Sequence, residues 1–279
     1  LGFESPSSKR IASFFKDELI VGGFVLGFSF LISGFLFKLT KNDTVKKILP
    51  SIFLCLSIIC IYLSGERSNF IKALITVSII LLLIDDTYFY IKKKYIFLFI
   101  IIGLTLATLL SEDIYTKQIE SYKKILSHSK GPTYYEKFGH LRHFAHYDVA
   151  WQIIKDYPIF GVGNLKFRHI CHNKKYLNTK IEYTHERCSN HPHQIHLEIL
   201  SEQGIIGYLI IIFTIFSILF NSFKIYRKTG NLIHLSSILF VLTFFIPLLP
   251  TGSFFSTFNG SIFWINFSLV HAFLNKPNY

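Results

Sequence analysis

The side chains able to do chemistry are histidines, arginines and two cysteines. Most lie in one polar stretch, residues 112–203, which carries ten of the twelve histidines. Within it, CSNHPHQIHLEILSEQG places Cys188, His191, His193 and His196 close together. Histidine has an ordinary pKa near 6.5 and takes a proton from a hydroxyl close to neutral pH, so His193 is a candidate general base. Imidazoles and a thiolate so closely spaced also suit a metal ion, although the pattern is not the HExxH of zinc proteases. Solvated loop histidines are the plain alternative. Cys171 and Cys188 can form a disulfide in an oxidising compartment, or remain free or metal-bound thiols; Cys55 and Cys60 fall inside an apolar run. Arg142 offers a planar fork that fits phosphate bidentately, or it pairs with a carboxylate such as Asp148. Arg67, in LSGERSNF at the end of an apolar run, is either a snorkelling anchor or a diphosphate ligand at the bilayer edge, with Glu66 placed to neutralise it.

The surrounding pattern says which elements must hold these groups. Pro192 suits the first turn of a helix capped by Asn190 or His191. Helical spacing then puts His193, His196 and Leu197 on one side. The apolar face continues through Leu200 and Ile205, past Glu202 and Gly204, into the bilayer. Arg142, Ala145 or His146, Val149 and Ile153 recur at helical spacing, which predicts an amphipathic helix ended before Pro158. Gly161-Val162-Gly163-Asn164 predicts a tight turn with its backbone N–H groups pointing outward. It is not a GxGxxG nucleotide loop, and no βαβ pattern surrounds it.

Composition sets the frame. The 279 residues are 51% hydrophobic and 16% charged, against about 25% charged in a soluble domain. The expected class is an all-α polytopic membrane protein, not a β-barrel, whose strands would alternate. About seven apolar segments are legible, at roughly 19–37, 48–64, 70–84, 95–111, 204–223, 231–249 and 254–273. Lys38, Lys41, Lys46 and Lys47, then Lys92, Lys93 and Lys94, then Lys224, Arg227 and Lys228, mark three short basic loops. The positive-inside rule sets these in the cytoplasm. The long loop, mostly helical, then faces the opposite side together with Arg67. The expected domains are a membrane part at 1–111, a periplasmic loop domain at 112–203 and a second membrane part at 204–279. The net charge of +12 goes to cytoplasmic loops and lipid headgroups, and no nucleic-acid partner is expected. The chain contains no methionine and begins Leu1-Gly2-Phe3, which suggests that N-terminal sequence is missing.

These stretches together resemble the O-antigen ligase / O-antigen polymerase superfamily of bacterial inner-membrane glycosyltransferases. SSKRIASFFKDELIVGGF resembles the segment before one of its central spans, and LSGERSNF sets Arg67 on the family's arginine. LRHFAHYDVAWQIIKDYPIFGVGNLKF matches most specifically, at Arg142, Trp151, Pro158, Gly161, Gly163 and Phe167. HPHQIHLEILSEQGIIG matches at His193, Leu197, Glu202, Gly204 and Gly207, with Gln194 where the family usually has Asn. PTGSFFSTFNGSIFW resembles its last outer loop and span. The resemblance covers nearly the whole chain. It implies a GT-C-like fold of about a dozen spans, of which the first several are absent here.

It further implies a glycan on undecaprenyl diphosphate as donor and a hydroxyl on lipid A–core, or on a second lipid-linked glycan, as acceptor. Arg67 and Arg142 would hold the diphosphate, and His193 would be the base of an inverting transfer needing neither metal nor cofactor. O-antigen polymerase is the alternative within the family. A membrane transporter with a His-rich, metal-binding outer loop is the alternative of another class. The near absence of ionisable residues in the spans speaks against that transporter.

Overall fold

In the computed structural model, residues 20–83, 93–110 and 133–274 are described, together with Lys123 and Ser127. The N-terminal SSKRIASFFKDEL stretch, Lys92 and most of residues 111–132 lie outside them. Every regular element among the described residues is helical. They are α1 (Val21–Leu39), α2 (Asp43–Leu63), α3 (Arg67–Leu83), α4 (Lys93–Leu110), α5 (Tyr134–Phe138), α6 (Arg142–Asp156), α7 (Phe167–Ile170), α8 (Ile195–Thr229), α9 (Leu232–Phe244) and α10 (Thr257–Leu274). Short 3₁₀ turns occupy Lys174–Tyr176 and Thr184–Glu186.

By length and apolar composition, α1, α2 and α8 are able to cross a membrane. An apolar helix satisfies its own backbone hydrogen bonds, which hydrocarbon demands. Exposed apolar side chains run along two of them, Ile52 and Leu56 on α2 and Leu209, Ile210 and Phe213 on α8. In water such a face would be a liability; against lipid tails it costs nothing.

The helix ends follow local chemistry. Helix α2 starts earlier than the apolar run, because the Asn42 side chain accepts the Thr44 and Val45 N–H groups and draws the mostly polar residues 43–47 into the first turns. Helix α9 has only 13 residues, shorter than the 231–249 run suggests. It stops at Phe244, shortly before Pro247, since a residue preceding proline is pushed out of the α region.

The chain forms two compact units. The first comprises residues 1–121, 221–243 and 265–279. In it, α1 packs chiefly on α2, and α2 also on α3 and α4. The second comprises residues 122–220 and 244–264. Its core gathers Val149, Ala150 and Ile153 of α6 with Phe167, Cys171 and Tyr176. Phe144, Ala145 and Ile181 form a second cluster, with Tyr135, Leu141 and Tyr183 packed against it.

Candidate active site

In the second unit, α6 begins at Arg142 and ends at Asp156, two residues before Pro158, as the spacing predicts. Ala145, His146, Val149 and Ile153 form its buried face. Arg142 and His143 are exposed at its start. Arg142 pairs not with Asp148 but with Glu186, its Nε 2.5 Å from the carboxylate. Asp148 instead accepts hydrogen bonds from the side chains of Gln152 at 2.6 Å, Asn178 at 3.2 Å and Tyr135 at 3.4 Å. Trp151 is half exposed, with the Lys155 ammonium 5.7 Å from its ring centre.

The segment around His193 departs from expectation. Helix α8 begins at Ile195, not at Pro192. Its cap is Gln194, a buried residue whose side-chain oxygen accepts the Leu197 N–H at 2.8 Å and whose carbonyl accepts the Glu198 N–H. His193 thus precedes the helix, in a left-handed conformation with φ 56°. Few non-glycine residues adopt that region, and they need support from their surroundings. Here the His193 carbonyl accepts the Thr251 N–H at 2.8 Å, and the imidazole Nε2 lies 3.0 Å from Ser189 Oγ. His191 reaches the same loop, its Nε2–H donating to the Thr251 carbonyl at 3.3 Å.

The result is a cluster of rings that no single stretch of sequence displays. The His193 ring centre lies 4.2 Å from that of His191, 5.0 Å from His146 and 5.1 Å from His143. Burial pushes His193 down to about 3, helped by the neighbouring charges of His191, His143, His146 and Arg142. Burial likewise takes His191 down to about 4 and lowers His146. A buried imidazolium among other bases is doubly disfavoured, so these rings are neutral at neutral pH.

The metal set suggested by spacing alone is not brought together. Cys188 is joined to Cys171 in a disulfide, with 5.4 Å between their Cα atoms. His196 sits between the Tyr208 hydroxyl at 2.8 Å and the Phe245 carbonyl at 2.9 Å.

Two buried carboxylates organise the loops around the cluster. Glu198 accepts the Phe254 N–H at 2.8 Å and the Ser253 hydroxyl, and so anchors the chain just after Thr251. Glu202 accepts the N–H of Leu165 at 2.7 Å and of Phe167 at 3.1 Å. The glycine-rich turn does not aim its amides outward. Val162 N–H and Gly163 N–H donate to the carbonyls of Ser201 and Glu202, and Ile205 N–H donates to the Pro158 carbonyl. Helix α8 breaks at Gly204, at φ 65° and ψ −172°, to receive this turn. The approach is so close that a Cβ on Gly204 would lie 2.2 Å from the Ile159 carbonyl oxygen. On Gly161, also at positive φ, it would lie 2.4 Å from the Glu202 carbonyl carbon. Only glycine fits either place.

Arg67 belongs to the first unit, at the start of α3. It is half-buried and makes no hydrogen bond or ion pair with any described residue. Its neighbour Glu66 caps α1, accepting Gly22 N–H at 2.7 Å, Gly23 N–H at 3.2 Å and the Asn69 amide at 2.6 Å. A carboxylate at a helix N-terminus satisfies donors that have no partner within the helix.

A model of the O-antigen ligase family matches residues 52–212. The chain belongs to the O-antigen ligase family. Among the curated proteins nothing matches it. Membership makes this a membrane protein of O-antigen ligase or polymerase type, a glycosyltransferase-like enzyme of lipopolysaccharide biosynthesis acting on lipid-linked glycans.

Around His193, the residues His143, His146, Ser189, Thr251 and Glu198 are neighbours that sequence reasoning did not assign to the site. His143 and His146 carry a signal, one helical turn apart in RHFAH. Thr251 carries none, because it lies 58 residues along the chain from His193. Arg168 was also missed. Its guanidinium Nε is buried without a hydrogen-bond partner among the described residues, and its charge is felt by His191, Glu198 and Glu202.

Proposed function

We propose that this enzyme moves a glycan from undecaprenyl diphosphate to a sugar hydroxyl of lipid A–core, with inversion and without a metal. The reading is carried by His193, a neutral imidazole whose backbone is held by Thr251 and whose ring is held by Ser189, beside His143 and His146 in the helix that starts with Arg142. In the reaction the acceptor hydroxyl oxygen bonds to the anomeric carbon as the bond from that carbon to the diphosphate oxygen breaks. The hydroxyl proton passes to His193, and the electron pair leaves with undecaprenyl diphosphate.

A base with so low a proton affinity is weak on its own. A bound diphosphate corrects this, because a nearby negative charge favours the imidazolium. The base is therefore strengthened when donor is present. Arg142 is exposed, and its pair with Glu186 is at the surface, where such pairs contribute little. A diphosphate bearing two or more charges displaces Glu186 and takes both prongs of the fork. Arg67 is assigned the second diphosphate contact on the family motif and on a guanidinium that no described residue occupies. Both arginines stabilise charge that develops on the bridging oxygen.

The same reading keeps seven spans, with residues 112–203 on the periplasmic side of the inner membrane between membrane parts at 1–111 and 204–279. Donor chemistry is common to ligase and polymerase, and the acceptor separates them. Transfer of labelled glycan from undecaprenyl diphosphate, in detergent with EDTA, is measured against two acceptors offered separately. Label on rough lipopolysaccharide is the expected result. A ladder on the lipid carrier makes the enzyme a polymerase, and wild-type rate in a folded His193→Ala enzyme removes the base assignment.

A further inference from the structure

The proposed transfer uses one imidazole, yet three rings bring a nitrogen each within 4.8 Å of one another. We propose that His143, His146 and His193 form a binding site for a zinc-class divalent transition-metal ion, and that loading it switches transfer off. One ring nitrogen from each residue lies within 4.8 Å of the other two. His143 is exposed, His193 half-buried and His146 buried, so the cluster runs inward from solvent and an ion has access.

The ligand atoms are prepared by their partners. His146 Nδ1 lies 3.0 Å from the Arg187 carbonyl. A carbonyl only accepts, so Nδ1 carries the hydrogen and Nε2 holds the lone pair. A metal-ligating histidine commonly donates its other N–H to a backbone carbonyl in this way. That carbonyl is itself fixed, because the Arg187 guanidinium donates to the carbonyls of Cys171, His172 and Thr184, and the next residue, Cys188, is in the disulfide. For His193, the hydrogen bond between Nε2 and Ser189 Oγ at 3.0 Å fixes the ring's orientation; a hydroxyl both donates and accepts, so with Ser189 accepting, Nδ1 carries the lone pair that ligates.

The donor set decides the metal class. Three neutral imidazoles suit zinc, copper, nickel or cobalt, whereas magnesium and calcium take oxygen ligands. Zinc–imidazole bonds of about 2.0–2.1 Å in a tetrahedron need nitrogens about 3.4 Å apart, with water in the fourth position. Closing from 4.8 Å is a side-chain rotation, easiest at exposed His143. Cys171, His172 and Cys188 also lie together, but sulfurs bonded to each other offer no thiolate. A metal on His193 occupies the lone pair that would accept the acceptor's proton. The switching half of the inference rests on His193 as base; the binding half does not.

The test uses the full-length enzyme in detergent. Cobalt(II) is titrated and its visible d–d band followed, then zinc is added in competition, and transfer is assayed with and without zinc. One equivalent of tetrahedral cobalt is expected, displaced by zinc. In His143→Ala, at an exposed position, affinity falls at least 10-fold. Zinc is expected to stop transfer in the wild type and EDTA to restore it; in His143→Ala the zinc concentration that halves that variant's own metal-free rate is expected to rise at least 10-fold. No cobalt band in the wild type, or an unchanged band in His143→Ala, overturns the site. A band without zinc inhibition overturns the switch. Should metal-free wild type fail to transfer, the base reading falls, while the cobalt titration still decides the site.

Discussion

The corner around Arg67 and the corner around His193 are built on the same device and use it differently. In the first unit one buried carboxylate, Glu66, takes the free amides at the start of a regular helix, those of Gly22 and Gly23. In the second unit two buried carboxylates hold irregular backbone. Glu202 takes Leu165, itself at φ 58°, and Phe167, and Glu198 takes Phe254 and Ser253. A cap on a helix needs only the helix. A carboxylate holding a loop must be matched by every other bond of that loop. The first corner leaves an arginine with no partner among the described residues; the second leaves a histidine in a conformation that only tertiary contacts sustain. Arg67 and His193, the groups proposed to act on the donor and acceptor, thus each sit beside a carboxylate that has taken up neighbouring backbone donors.

Several substitutions break or sharpen that contrast. The largest effect is expected at the second corner. His193→Ala should lower transfer by about 10²–10⁴-fold, the range for a general base, with the unfolding temperature little changed. Next are the arginines. Arg67→Ala and Arg142→Ala should each cost about 10²–10³-fold in kcat, comparable to loss of one preorganised donor. Lysine at either position should recover only part, because a point charge cannot replace the fork; full recovery would argue for charge alone.

Glu202→Ala comes third, and it should act on stability. Two amides lose a charged acceptor, which at about 1.5–3 kcal/mol per bond should lower the denaturation midpoint clearly. Glu66→Ala removes a helix cap and should cost about 0.5–2 kcal/mol. Equal losses would erase the distinction between capping a helix and holding a loop.

The fourth expectation concerns pH. His191 and His193 are held at about 4 and about 3, below the 6.5 of the unfolded chain. Below pH 6.5 the unfolded chain binds protons that the folded site refuses. Stability is therefore full above about pH 6.5 and falls as pH drops toward 3, with the sign set by linkage. Thermal unfolding followed from pH 7.5 to pH 4.5 checks this, and a His191→Ala variant should show a shallower fall. The smallest effect belongs to Glu186→Ala, which breaks only the surface pair with Arg142 and should change stability by about 0.2–1 kcal/mol.

Legibility followed distance along the chain. The end of α6 was readable, because a buried face at i, i+4 and a proline after the last turn are local signals. The start of α8 was misread. Pro192 in HPHQ looks like the first turn of a helix, yet the left-handed His193 and the capping Gln194 move the start to Ile195. The glycine-rich turn was recognised, but not its occupant, since its amides go to Ser201 and Glu202.

By itself, the sequence determined that this is a membrane protein rich in helix and that histidines and arginines cluster in its polar stretch. Its resemblance to the family's motifs also singles out Arg67, Arg142 and His193, the residues on which the proposed mechanism rests. Hydropathy and short-range spacing suffice for these, because a membrane helix is a local object. Tertiary structure alone decided that His143, His146 and His191 surround His193. It also decided that Arg142 rests on Glu186, and that Thr251, on a distant loop anchored by Glu198, holds the His193 backbone. Those pairings join residues up to about sixty positions apart, where no local pattern constrains the partner and only the closing of the chain brings them together.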